Sequence, residues 1–353
     1  MVTVRTAVLA CLVLAACDGN PFDSTAAGGG GSGGGSSSTS ASTLPGTTTP
    51  SASGSVVRFE DHGKGPNVNG GAPDVTGNGF AFKNGKINYD SGKDTFTVDN
   101  LAFDGGNVYT RSTTVPTLGP AQVYEASATY ADSQTHAQID QFSYRALYGV
   151  STSGRTRFGI VRTGSYAPYG FGGFIYTRNG GVTLPTTGQA KYTGTYAGLR
   201  DFNGSGGLQL TSGDMEMAID FNDFNPDESF TGNGAGIQGQ ISNRHIYDLN
   251  GNDITATVLD GINTDKNLAV PLTALPSLVF KVGPGVLDNN GEAEGQLNDT
   301  IDVSGGPQEF EAGKYYAVIS GKNADEVAGV IVITSSIGSV TARETGGFIL
   351  YRP

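Results

Sequence analysis

Alternation with a period of two, broken every few residues by Asn, Asp and Gly, constrains this chain most. Met215, Met217, Ile219 and Phe221 share one face of an extended segment while Glu216 and Asp220 share the other, as a strand with one buried face requires. Phe80 to Tyr89 places Asn84-Gly85 between two such runs, the strongest short-range hairpin signal. Thr95-Phe96-Thr97-Val98 continues the pattern, and Asp104-Gly105-Gly106 and Asn179-Gly180-Gly181 read as turns. No segment has the length and apolar spacing of a substantial helix. With 55 glycines, no tryptophan and 15 % charged residues, the chain reads as all-β, and Gly346 to Tyr351 as a last strand that could close a barrel.

The first residues are an address. Arg5 precedes the apolar run Ala7–Ala16, which at about ten residues is half of what a bilayer-spanning helix needs and reads as a signal peptide core. It ends in Leu14-Ala15-Ala16-Cys17, which looks like the lipobox of a bacterial lipoprotein precursor. Cys11 would leave with residues 1–16, so Cys17 would remain alone, with no intramolecular disulfide open to it. The other reading of Cys17 is an incidental cysteine in an ordinary secretory signal. Lipidation would attach the protein without spanning, at about 0.8 kcal/mol per buried methylene.

Residues 17–54 read as a disordered tether. Gly28 to Gly54 is almost wholly Gly, Ser, Thr, Ala and Pro, with Leu44 its one large apolar residue, and no charge occurs from Ser24 to Val57. Such a composition cannot offset the entropy of ordering, and a coil of this kind would reach on the order of 35 Å. The formal charge of −12 becomes −13 when Arg5 leaves, which argues against nucleic acid or an anionic membrane surface as a partner.

Four patches in order then resemble one family. Leu184-Pro185-Thr-Thr-Gly188-Gln-Ala190-Lys-Tyr192-Thr-Gly194 resembles the Pro-x-x-Gly-x-Ala-x-Tyr-x-Gly entry into the β-barrel lobe of transferrin-binding protein B and related surface lipoproteins. Met215-Glu-Met-Ala-Ile-Asp220-Phe221 is similar to its second strand, and Gly291-Glu-Ala293-Glu-Gly295-Gln-Leu297 to its Gly-x-Ala-x-Gly strand. Phe310 to Tyr316, followed by Gly321 to Gly329, resembles its closing block, with Tyr315-Tyr316-Ala317 in place of Phe-Tyr-Gly and Ser320-Gly321 shifted against Gly-Pro. The resemblance covers one barrel, not two lobes. It implies an eight-stranded antiparallel barrel over 161–353, preceded at 55–160 by a smaller β-rich, handle-like domain. It also implies an outer-membrane lipoprotein, on the surface of a Gram-negative cell, that captures a protein or nutrient ligand, of iron- or haem-carrier type among others, through barrel loops. It does not carry transferrin itself.

Chemistry-bearing motifs are few. Gly30-Gly-Ser32-Gly-Gly34 lies in the tether, where no strand-to-helix elbow can hold a nucleophile. Gly234-Ala-Gly236-Ile-Gln-Gly239 leads into a β-like run, not into a helix N-terminus that could receive a pyrophosphate. His62, His136 and His245 show no ligand spacing, and Asp248-Leu-Asn250-Gly-Asn252-Asp253 lacks the glycine and glutamate of a calcium loop and reads as a solvated turn. No catalytic residue, metal ligand or cofactor is therefore expected. Gly188, Gly194 and Gly198 among Tyr192 and Tyr196 read as places where aromatic rings pack over glycine. Tyr166, Tyr169, Phe171, Phe174 and Tyr176 form an aromatic cluster that either covers the junction between domains or makes a binding patch. The competing readings are a structural or adhesive envelope lipoprotein, an enzyme, and a porin; short, glycine-rich strands and attachment through lipid count against the last, which needs a lipid-facing apolar band.

Overall fold

The computed structural model describes residues 51–60, 88–98, 101, 104, 106, 108–166, 170–222, 236–282 and 286–353. The Asn84-Gly85 turn, the leader, Cys17 and most of the tether lie outside them. The first half is built from β1 (Val56–Phe59), β2 (Asn88–Asp90), β3 (Thr95–Thr97), β4 (Val108–Arg111), β5 (Thr117–Leu118), β6 (Ala121–Ala126), β7 (Thr129–Ala131), β8 (Gln138–Asp140), β9 (Tyr144–Val150), β10 (Thr156–Thr163) and β11 (Phe171–Arg178). All but β7 and β8, which form a hairpin of their own, join one antiparallel sheet in the order β1-β11-β10-β9-β6-β4-β3-β2, with β5 on β6.

The second half is β12 (Gln189–Asn203), β13 (Leu208–Asp220), β14 (Gly236–Tyr247), α1 (Thr255–Asp265), β15 (Leu278–Phe280), β16 (Glu292–Val303), β17 (Gly306–Ser320), β18 (Glu326–Ile337) and β19 (Val340–Tyr351). Each strand pairs with the next, and β19 pairs back onto β12 from Thr193↔Tyr351 to Asn203↔Thr341, closing an eight-stranded up-and-down barrel. The expected all-β fold and barrel count hold, and each of the four motif patches enters or forms a barrel strand.

Three boundaries differ from expectation. The first sheet does not end at residue 160: β10 crosses that point, and β11 pairs with both β1 and β10, Val56↔Arg178 and Thr156↔Arg178 among the registers. Only the turn at Asn179-Gly180-Gly181, with Gly180 at φ +84°, leads the chain to the barrel, which starts at Gln189. Residues 51–54 belong to the folded body, because Arg178 donates to the carbonyls of Ser51 and Gly54 and the Val182 N–H to that of Ala52 at 2.8 Å. Third, α1 is an 11-residue helix between β14 and β15. It has no side-chain cap, no acid in its first turn and no base in its last, so the usual boundary signals are missing; buried Leu259 and Ile262 hold it in place.

The alternating pattern decides the two faces of the barrel wall. Tyr192, Met215, Met217, Ile219, Ile241, Phe280, Leu297, Tyr315, Ile331 and Phe348 fill the interior. Lys191, Glu216, Gln240, Glu294 and Lys314 pair with one another outside, Lys191 Nζ lying 2.6 Å from Glu216 and Lys314 Nζ 2.9 Å from Glu294. That is the inverse of a membrane-spanning barrel, which is apolar outside and polar within.

Another part of the outer wall is covered by the first sheet. Leu147, Phe158, Ile160, Phe174 and Tyr176 from the sheet pack against Ala197, Leu199, Val318, Ala328, Val330 and Ile349 from the barrel. Adjacent glycines on β19 admit rings from opposite sides: a Cβ on Gly346 would lie 1.9 Å from the Tyr196 ring, and one on Gly347 2.3 Å from the Phe158 ring. The far face of the sheet buries a tyrosine-rich cluster that includes Phe96, Tyr109, Tyr124, Tyr144 and Tyr148.

Candidate functional site

Two β-bulges set the chemistry of one end of the barrel. On β14, Asn243 and Arg244 lie opposite the single residue Gly213, between Ser212↔His245 and Asp214↔Ser242, with Asn243 at φ +49°. On β17, Phe310 and Glu311 lie opposite Asp299, between Asn298↔Ala312 and Thr300↔Glu309. A bulge re-aims side chains. These two bring Arg244 and Glu311 into a buried hydrogen-bonded ion pair.

Around that pair stand Asp299, Arg200, Glu344, Thr211 and the Tyr196 hydroxyl. The Glu311 N–H donates to Asp299 Oδ1 at 2.7 Å, Arg244 Nη2 lies 3.6 Å from Glu344 Oε2, Arg200 Nε lies 3.6 Å from the same oxygen, and Thr211 donates to Glu344 at 3.1 Å. Tyr196 donates to Glu344 as well. Burial pushes the Asp299 carboxyl up, and the Glu311 carboxylate pushes it further, to about 9. Burial works in the same direction on Glu311, but the charge and hydrogen bonds of Arg244 hold its carboxyl below the usual range. At neutral pH Asp299 is therefore a neutral acid beside the Arg244–Glu311 ion pair, which spares a desolvated site one buried charge.

Beside the bulge, Phe310 borders a cleft of about 340 Å³ at the same rim of the barrel, with Gln308, Glu309, Thr334, Ser335, Ser336 and Lys266 around it. A smaller apolar cleft of about 140 Å³ lies against α1, between Val258 and the Ile337, Val340 and Ala342 side chains, with Arg200 and Phe202 on its wall. Both clefts thus lie at the rim carrying α1.

The aromatic cluster expected from the sequence divides. Phe174 and Tyr176 are enclosed between sheet and barrel, Phe174 stacking on Tyr316 with centroids 6.1 Å apart. For these two, packing of the junction replaces the binding-patch alternative, because the alternation of β11 turns both toward the barrel. Tyr166 is exposed in the loop after β10. Phe171 opens β11, Tyr169 and Cys17 lie outside the described residues, and no shared patch of the five forms among those described.

His136 sits in the β7–β8 turn at φ +56°, and His245 Nδ1 lies 2.8 Å from Asp253 Oδ2. Asp248 accepts the N–H groups of Asn250 and Asn252 at 2.8 and 2.9 Å, the geometry of a solvated turn. Gly236 to Gly239 open the strand β14, not a helix. Among the described residues no group of three His, Cys, Asp or Glu side chains is arranged to hold a metal ion, and no helix is long and apolar enough to cross a membrane.

The residues of the charge cluster and of the rim clefts were not singled out from the sequence. Arg200 and Glu344 could have been, since they fall in phase with inward Tyr192 and Tyr196 and with inward Phe348 and Leu350.

No family model matches this chain, and no curated protein does. Among solved structures it is similar to a double mutant of the vaccine antigen transferrin binding protein B from Haemophilus parasuis, at 12 % identity and TM-score 0.34 over 75 % of this chain. It is also similar to intact Ap-TbpB with its N and C lobes, at 13 % and 0.34 over 76 %. A protein with unknown function from Nostoc punctiforme is similar at 9 % and 0.20 over 74 %. The chain spans less than half the length of the two transferrin binding protein structures, 43 % and 44 %.

Proposed function

We propose that this is a lipid-anchored envelope protein, attached through Cys17, whose barrel presents its α1-bearing rim at the cell surface and captures a protein or nutrient ligand there without chemistry. The observation that carries the reading is the filled barrel. Its interior is occupied by apolar side chains and by a charge cluster whose members answer one another, so contact with a ligand falls to the rim and loops. Rigidity supports the same reading, since buried ion pairs join the first sheet to the barrel wall and preorganise the surface. Loops on a rigid scaffold are where binding residues concentrate.

Protease shaving of intact cells, with a blot for the barrel and a Cys17→Ala control, tests the reading. Loss of the wild-type barrel from unbroken cells, followed by capture of a ligand on the purified chain, is the expected result. Full protection until the cells are permeabilised would overturn it in favour of a structural envelope lipoprotein.

A further inference from the structure

We propose that the cleft beside Phe310 is a binding site for a neutral sugar ring, free or at the end of a glycan. The inference rests on the reading of this rim as the contact surface and names what it takes. Three properties converge on that class of ligand.

The first is a fixed aromatic surface. Phe310 is half-buried and follows the bulge geometry, in which the next residue, Glu311, is tied to Arg244 inside the barrel. The ring is thereby held at the cleft before any ligand arrives, which lowers the entropy of binding. An aromatic face suits the C–H face of a pyranose.

The second is the mixture of donors and acceptors. Thr334 presents an exposed hydroxyl on one side, next to a Ser336 hydroxyl that shares a hydrogen bond with Thr341 at 3.0 Å, and Gln308 and Glu309 add an amide and a carboxylate. Hydroxyls, amides and carboxylates together can satisfy groups that donate and accept at once, as sugar hydroxyls do. The volume of about 340 Å³ lies at the lower end of the small-ligand range and suits one ring.

The third is charge balance. Lys266 Nζ lies 2.9 Å from Asp265 and 5.9 Å from the centre of the Phe310 ring. Glu309 accepts from Asn298 at 2.7 Å and faces Lys281 at 3.7 Å. Each charge on the cleft is answered by a neighbour, so an anion or a cation finds no excess of the opposite sign, while a neutral polyhydroxylated ring does not need one.

Saturation-transfer difference NMR on the full chain, with glucose, galactose, mannose and N-acetylglucosamine as probes and methyl phosphate and butylamine as charged controls, tests this. At least one sugar should receive saturation, most strongly on protons of one ring face. Phe310→Ala should reduce its affinity at least tenfold, and Thr334→Val, an exposed and isosteric change that leaves the fold intact, severalfold. Methyl glycosides binding as well as the free sugar would assign the site to a chain end; preference for the reducing sugar would assign it to the free form. Absence of saturation for every sugar, saturation unmoved by either substitution, or stronger binding of a charged control would overturn the inference. Surface capture with no sugar binding would remove only this inference, whereas sugar binding by a barrel that shaving finds protected would remove only the surface reading.

Discussion

Two buried layers of charge lie on opposite sides of the barrel wall, and they are built differently. Between sheet and barrel, Arg58 forks onto Glu292 at 2.7 and 2.8 Å as a pair, while Arg162 Nε lies 2.8 Å from Asp201 and its Nη1 3.9 Å from Glu60, which Arg343 also bonds. Glu326 adds hydroxyl donors from Ser151, Ser153 and Thr156 at 3.1, 2.8 and 3.1 Å. Inside the barrel, five charged or acidic side chains share one site: Arg244 bonds Glu311 directly, and its approaches to Asp299 and Glu344, like that of Arg200 to Glu344, are 3.6 to 3.8 Å. An apolar interface alone tolerates sliding, but a forked arginine pair has one geometry. The outer layer therefore fixes how the sheet sits on the barrel. The inner layer instead gathers its groups around one arginine, Arg244, with Asp299 keeping its proton up to about 9.

The largest effect should come from breaking the outer layer. Glu292→Ala leaves the Arg58 guanidinium buried without its carboxylate and should destabilise the protein by about 3–5 kcal/mol in urea unfolding. The pair Arg58→Met with Glu292→Leu should recover most of that loss, because a well-packed apolar pair replaces a buried ion pair at little net difference. A single variant that lost under about 1 kcal/mol would mean that water reaches this junction.

Glycines on β19 separate the two faces next. Gly346→Ala and Gly347→Ala should each cost about 1–3 kcal/mol through overpacking. Phe158→Leu should relieve Gly347→Ala, whose methyl meets that ring, and should leave Gly346→Ala, whose methyl meets Tyr196, unrelieved. Equal relief of both would show that the wall adjusts as a whole.

How much of this the sequence discloses depends on whether period-two alternation survives. It does over Met215 to Ile219, all inward at odd positions, and through Leu297 to Asp299. It fails at Arg244: Ile237 and Ile241 point inward at odd positions, yet the extra residue of the bulge at Asn243 turns the even-numbered arginine in. Nothing in the local composition announces that bulge, because Asn243 adopts a left-handed conformation that only tertiary pairing selects. The clefts are illegible for a related reason, as one joins Lys266 to residues of β16, β17 and β18 and the other joins α1 to residues of β12, β13, β18 and β19, which only the folded barrel brings together. β11 belongs to the first sheet and not to the barrel half, because its Gly-rich aromatic pattern serves either sheet and only its long-range register with β1 decides between them.

The inner layer should show itself in pH dependence. Asp299 stays protonated in the folded chain up to about 9 but ionises near 3.8 when unfolded. Between those values the folded state binds the extra proton, so wild-type stability falls as pH rises. Asp299→Asn keeps an acceptor for the Glu311 N–H and removes the titration, with Arg244, Arg200, Glu311, Glu344 and Tyr196 still facing it. Its stability relative to wild type should grow with pH, by up to about 1.4 kcal/mol per unit between pH 5 and 8, in paired urea titrations. A difference independent of pH would show that Asp299 is ionised in the folded chain.

The smallest effect is expected where an ion pair lies in neither buried layer. Lys191 and Glu216 approach to 2.6 Å on the outer wall, closer than Arg58 and Glu292, but their side chains are 60 % and 40 % exposed. Solvent screens that attraction and both side chains lose rotamer freedom on pairing, so Lys191→Ala should change stability by no more than about 0.5 kcal/mol. Measured beside Glu292→Ala in the same titration, it separates burial from distance as the quantity that ranks these pairs. A loss at Lys191 comparable to that at Glu292 would mean that distance governs, and the distinction between a directional buried junction and a solvated outer surface would fall with it.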